Sequence, residues 1–414
     1  GTGVFTSLGF QLLEIHSTFV LLMLWLVGGV TALCGALTYA ELASSLPRSG
    51  GEYNFLSEIY HPMAGFVSGW ISATVGFAAP TALAAMTFGA YLSVSVGGPV
   101  SASLLAALLV IFLTGIHVLS HAASGGFQTL FTILKVLLIL VFVSAVAVSV
   151  TDVQPVVLIP VSEDLGLLMS SAFAVSLIYV NYAYTGWNAA TYIINEVDEP
   201  RRNMPVILFL GTAIVMVLYL LLNYVFLYAA PISEMEGKLE IGVIVARSTF
   251  GEAGATIMGV MLATLLVSTV SAMVIAGPRV LQVIGEDFSL FRVMAKKSKA
   301  EIPVIAILLQ SSVTLFFIFT SSFESVLVFS GFVMGVNTFF AVAGVFVLRR
   351  RKIPAGAYQT YGYPITPLIY LSLMAWTLIF ILINRPQEAW AGLAIIGAGV
   401  LLYLLSEKFN GSSS

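Results

Sequence analysis

Long apolar runs recur from one end of this 414-residue chain to the other, at residues 19–42, 104–118, 127–150, 206–230, 257–275, 302–319, 326–348 and 393–405. About 20 such residues, wound as a helix, cross the hydrocarbon core of a bilayer. Only 9% of residues are charged, against roughly 25% in an ordinary soluble domain. A soluble globule is excluded. The apolar and polar residues do not alternate in short strands, which excludes an outer-membrane barrel. The lone Cys34 falls inside a predicted span, so no disulfide forms within the chain and thiolate metal clusters are excluded.

Counting from the N-terminus gives a short apolar fragment at 4–10 and then eleven candidate helices. The fragment is too short to cross. It reads as the second half of a first span, so the native chain is expected to begin at least a half-span earlier, and no basic n-region marks a signal peptide. Assigning alternate loops to opposite sides places thirteen of the 17 Lys+Arg on one side, from Arg48 through Arg279 and Arg349 to Lys408. Lys238, Arg247 and Arg385 lie on the other side, and Lys135 lies inside a helix. Basic residues stay cytoplasmic, so the C-terminus is expected in the cytoplasm. A net charge of −3 carries no information about partners.

Two stretches suggest broken helices: Gly1-Thr2-Gly3-Val4-Phe5, and Tyr184-Thr185-Gly186-Trp187-Asn188 midway through the apolar stretch 167–194. A single glycine costs a helix about 1 kcal/mol, and close packing of small residues explains most glycines in membrane helices. The pair is more informative. Four full spans separate the two breaks, so the first and sixth spans carry matching interruptions, as in carriers built from two inverted five-helix repeats. Unwound backbone at membrane depth must face protein or a wet cavity.

The motifs around these breaks resemble one family. Thr38-Tyr39-Ala40-Glu41-Leu42 followed by Pro47-Arg48-Ser49-Gly50-Gly51-Glu52-Tyr53 resembles the second-span signature of the amino acid–polyamine–organocation superfamily, in particular its L-type amino acid transporter branch. Gly1 to Phe5 resembles its first-span break. Tyr182 to Asn188, then Asn195-Glu196-Val197 and Pro200-Arg201-Arg202-Asn203-Met204-Pro205, resembles the sixth span and its following loop. Pro80, Gln128, Lys135, Arg279 and Leu348 to Lys352 fit in order, and the resemblance covers essentially the whole chain. Ala79 stands where many L-type members have arginine. The loop Gly97-Gly98-Pro99 lacks the cysteine that ties animal members to a partner glycoprotein, so a stand-alone bacterial carrier in the inner membrane is expected, without a disulfide-linked heavy chain.

The resemblance implies an all-α polytopic membrane protein with the LeuT-like five-plus-five inverted repeat plus two extra C-terminal helices, twelve spans with the first truncated. The expected units are 1–150, 167–350 and 366–406. It implies alternating-access transport of amino acids by a non-enzyme without cofactor or nucleic-acid partner.

A zwitterionic amino acid needs an anion site beside a cation site. The helix resuming after Gly3 offers N–H groups to a carboxylate, making Gly1, Thr2, Gly3 and Val4 candidates. Carbonyls freed at Tyr182, Ala183 and Thr185, beside Gly186, suit an ammonium. Ala78, Ala82, Tyr182 and Asn337 are candidates for the side-chain lining. Tyr182 and Trp187 are candidate gates, with ordinary aromatic packing as the alternative. No acidic residue lies near a helix middle, which favours neutral substrates over a cationic amino acid or polyamine, although a cation–π face also holds a cation.

Lys135 lies eight positions into an otherwise apolar helix, where a lysine costs roughly 2.5–3.5 kcal/mol to insert. Its stem is long enough to snorkel to the surface. In the family it resembles, a fifth-span lysine stands in place of a symporter's sodium ion and touches eighth-span hydroxyls, here Ser268 and Thr269, which implies sodium-independent transport. His117 and His121 share a helix face, and Glu58 and His61 show Glu-x-x-His spacing once, but neither makes a metal site. No nucleophile elbow, zincin or phosphate-loop motif appears. A sensor that binds without transporting, and a channel, are the alternatives of other classes. A sensor usually adds a soluble signalling domain and a channel a polar stripe, and neither is seen.

Overall fold

The computed structural model describes residues 3–97, 100–119, 125–288, 291–298, 301–351 and 357–411. All regular structure among them is helical. Nine helices are long and apolar enough to cross a membrane, ten if the bent pair Ser162–Leu168 and Ser171–Asn195 counts as one, and Val304–Thr320 adds a shorter apolar helix. The chain is therefore a polytopic all-α membrane protein. The first span is represented by a turn at Gly3–Phe5 and the helix Ser7–Gln11. Gly1 and Thr2 lie outside the described residues.

Serines start several spans. Ser17, Ser170 and Ser322 each accept a bond from the backbone N–H three residues on, at 3.3, 3.2 and 3.1 Å, satisfying one of the donors a helix start leaves open. The second span, Thr18–Ser45, is central: 67% of its most apolar window is buried, against 22% for the fifth span. Its glycines permit that position. A Cβ at Gly28 would lie 2.4 Å from Val180 of the sixth span, so small residues here let two helices approach closely. The fifth span, Gly125–Ser149, instead turns Ile133, Leu137 and Val141 outward.

Three places depart from the expected pattern. The third span runs through Pro62–Ile71, a π-turn at Ser72–Gly76 and Ala78–Val96. Pro80 has no N–H to donate to Gly76, and the wider turn immediately before it absorbs the mismatch. The stretch between the apolar runs 206–230 and 257–275 holds a buried helical segment, because Ile241–Asp287 is two helices that meet at the non-helical Gly251, φ 71° and ψ −169°. The loop after the second span contains the helix Glu52–Ile59.

Candidate functional site

The two breaks meet at the backbone. A Cβ added to Gly3 would lie 2.7 Å from Ala183 Cα, closer than side chains pack. The sixth span is helical over Ser171–Tyr184, opens at Thr185, φ −52° and ψ 140°, and turns at Gly186, φ +106°. No atom lies within 4 Å of a Cβ at Gly186, so its positive φ, not crowding, calls for glycine. A 3-10 segment, Ala189–Glu196, comes next.

The carbonyls at this break are partly engaged. Tyr182 O accepts the Thr185 N–H at 2.9 Å and the Thr185 hydroxyl. Ala183 O accepts the Tyr219 hydroxyl of the seventh span at 3.1 Å. Tyr182 O has both lone pairs filled and Ala183 O keeps one for a ligand, the latter a limit the sequence does not reveal because Tyr219 lies 36 positions away.

A cavity of about 360 Å³ opens between the breaks, bounded by Gly3, Tyr182, Ala183, Thr185 and Gly186. The third span contributes Gly76, Phe77 and Pro80, the eighth Thr269, Met273 and Arg279, and the tenth Met334. Arg279 is the one charged side chain among the lining residues. Ala78 and Ala82 are fully buried and line no part of it; Ala78 O instead accepts the Thr314 hydroxyl at 3.3 Å. The π-turn explains the shift, since one extra residue in a turn rotates every later position of the helix. Asn337 is buried off the cavity, and Val4 is packed in the core. Tyr182 borders both this cavity and a smaller one of about 40 Å³ behind the break, where Trp187 lies. Trp187 packs edge-on against Tyr39, ring centres 4.7 Å apart, and near Tyr370.

Lys135 reaches the eighth span. Its Nζ donates to Thr269 Oγ1 at 2.8 Å, and both line a small cavity of about 50 Å³ with Phe5, Thr87 and Tyr91. The Tyr91 hydroxyl donates to Phe5 O at 3.1 Å, tying the third span to the first. Ser268 turns away, donating to Leu265 O at 2.9 Å.

Elsewhere, the sequence residues that suggested metal chemistry have other partners. His117 Nε2 lies 2.9 Å from Ser271 Oγ, and His61 Nδ1 caps its own helix by accepting the Met63 N–H. His121 lies outside the described residues. Two carboxylates that motif reading treated only as signature letters are buried. Glu41 pairs bidentately with Arg349, 2.7 and 2.8 Å. Glu52 accepts from Tyr39, Asn188 and Tyr192. Arg349 lies 308 positions from Glu41, and of the partners of Glu52 only Tyr39, 13 positions away, shares its stretch of sequence, so no helical periodicity betrays them.

The comparisons agree with this architecture. The rat "Large neutral amino acids transporter small subunit 2" (Rattus norvegicus) is 29% identical over 420 residues, covering 98% of this chain and 77% of its own length. The "Serine/threonine exchanger SteT" of Bacillus subtilis (strain 168) is 25% identical over 421 residues, covering 100% and 94%. The mouse "b(0,+)-type amino acid transporter 1" (Mus musculus) is 24% identical over 428 residues, covering 98% and 84%. A family model described as amino acid permease matches residues 1–404, and with that match over nearly all of its length the chain belongs to the amino acid permease family of the amino acid–polyamine–organocation superfamily.

Proposed function

We propose that this permease carries neutral L-amino acids across the membrane by alternating access, as an exchanger or a proton-linked carrier that does not use sodium. The observation that carries the reading is the cavity at the two breaks. Its size falls within the roughly 300–1,000 Å³ of small-molecule sites. Its wall is main chain, aromatic, alkyl and uncharged polar groups such as Asn188 and Thr269, and its single charged group is the Arg279 guanidinium, which repels a second cation on the substrate. The names of the relatives, two of which specify neutral amino acids or serine and threonine, support the same substrate class. Lys135, hydrogen-bonded to Thr269 beside Phe5, supplies a tethered positive charge where a symporter would bind an ion.

On this reading residues 1–150 and 167–350 form the two inverted repeats, with 366–406 as an appended pair of spans. The face bearing Arg48, Arg279 and Arg349 is cytoplasmic, and the large cavity, whose lining includes Ser49, Gly50 and Arg279, opens toward it. No heavy chain is disulfide-linked, because the one cysteine, Cys34, is buried within the second span. Uptake and counterflow of a labelled amino acid panel in proteoliposomes test the proposal. Neutral amino acids should outcompete lysine and arginine by about tenfold or more, equivalent to about 1.4 kcal/mol. Equal or stronger competition by arginine would transfer the protein to the cationic or polyamine class.

A further inference from the structure

The loop after the second span grips the segment after the sixth-span break. The Gly51 N–H donates to Thr191 O at 3.2 Å, and the Asn195 N–H donates to Ser49 Oγ at 3.1 Å. Between these bonds lies Glu52, 1% exposed, whose Oε1 accepts from Asn188 Nδ2 and whose Oε2 accepts from the Tyr192 hydroxyl. The Tyr39 hydroxyl of the second span donates to Oε1 at 2.8 Å. Gly51 allows the approach: its φ is +53°, and a Cβ there would lie 3.0 Å from the Tyr192 ring.

Asn188 and Tyr192 line the large cavity, whereas Glu52 and Tyr39 do not. The segment they occupy holds itself poorly. It is a 3-10 turn in which Ile193 departs from helical geometry, φ −123° and ψ 29°, and 3-10 bonds are weaker than α-helical ones. Its place therefore depends on outside partners. Glu52 has no Lys, Arg or His within ion-pair distance among the described residues. All three of its partners are neutral donors.

We propose that Glu52 is a positioning residue for the transport site, fixing Asn188 and Tyr192 as cavity wall through hydrogen-bond geometry and not as a carrier of charge or of protons. The proposal rests on the transport reading above. It separates two substitutions. Glu52→Gln keeps Oε1 for Tyr39 and Asn188, and its new NH₂ donates to the Tyr192 oxygen, which also accepts, while the Tyr192 proton turns to its other partner, the Ser72 hydroxyl. Glu52→Ala removes the shared acceptor of all three, leaving the Tyr192 hydroxyl only its bond with Ser72.

The experiment is exchange of a labelled neutral amino acid in proteoliposomes at matched folded protein, with initial rate measured against concentration. Glu52→Ala should raise the half-saturation concentration by about tenfold or more, because small displacements of a site wall cost binding on that scale. Glu52→Gln should stay within about twofold of wild type, its hydrogen bonds being replaced. A purely structural loss would lower the maximal rate and leave half-saturation unchanged. Wild-type half-saturation in Glu52→Ala overturns the proposal, as does Glu52→Gln as impaired as Glu52→Ala, which would make the charge the essential feature. Should Glu52→Ala not fold, Tyr39→Phe removes one donor from outside the cavity and keeps the ring. A rise of about threefold is then expected for one lost hydrogen bond, and no rise overturns the proposal. Failure of the transport reading shows separately, as wild-type vesicles that exchange no amino acid, and refutes both.

Discussion

The Lys135 ammonium and the Thr269 hydroxyl meet at 2.8 Å, joining the fifth span to the eighth. A snorkelling lysine would have turned to the membrane surface; this one points inward, into a cavity shared with Phe5 and Tyr91. The inward geometry gives the residue a role to test.

Lys135→Ala should lower amino acid flux by about tenfold or more, a loss of at least about 1.4 kcal/mol at the transition between states, while the protein still folds. Removing a costly intramembrane charge eases insertion. Flux is compared in proteoliposomes at matched folded protein, with and without sodium. Near-normal flux in the variant, or strict sodium dependence in wild type, would show that the lysine does not stand in for an ion.

Two glycine substitutions should separate cleanly. Gly3→Ala drives a methyl to 2.7 Å from Ala183 Cα, overpacking that costs about 1–3 kcal/mol, so it should lower the melting temperature in detergent and abolish substrate-dependent stabilisation. Gly76→Ala meets only Ile71 O at 3.7 Å and Ser72 Cβ at 3.8 Å, ordinary contact, and should melt within a few degrees of wild type. Equal behaviour of the two would mean that the breaks do not touch as described.

Arg349→Ala leaves Glu41, whose side chain is fully buried, with the Thr360 N–H as its remaining polar partner from the following loop. Stranding one member of a buried pair costs about 3–5 kcal/mol. Thermal unfolding should show a large drop, and the double substitution Glu41→Leu with Arg349→Met should recover most of it. A double variant no better than the single would mean that the pair contributes more than mutual neutralisation.

The spans were legible because a bilayer imposes one length and one polarity on every helix that crosses it. The sixth-span break was legible for a related reason, since Gly186 interrupts the apolar stretch 167–194, whereas the first-span break at Gly3 was legible from the motif it resembles. Lys135 stood out as a charge without a nearby partner, and Thr269 emerged from the resemblance. The third-span lining was not legible. Ala78 and Ala82 have the right spacing for a regular helix, but the turn at Ser72–Gly76 shifts the register, and nothing in the letters before Pro80 announces its width. Glu52 and Glu41 were missed for another reason. Their partners, Tyr192 and Arg349, lie 140 and 308 positions away, beyond any periodicity a single sequence carries. The helical stretch before Gly251 was hidden because loop-like composition does not exclude a helix that packs on its neighbours.

The contact between Gly3 and Ala183 is made of main chain, and main chain is the one part of a protein that point mutation does not rewrite. Descendants of this gene can exchange Phe77, Met273 or Met334 one letter at a time and so reshape the part of the cavity built from side chains. The seam between the breaks offers no such freedom, because any letter but glycine at position 3 brings a carbon against the opposing backbone. On the proposed reading, such a carrier drifts readily in which side chain it accepts and hardly at all in the amino acid frame it requires.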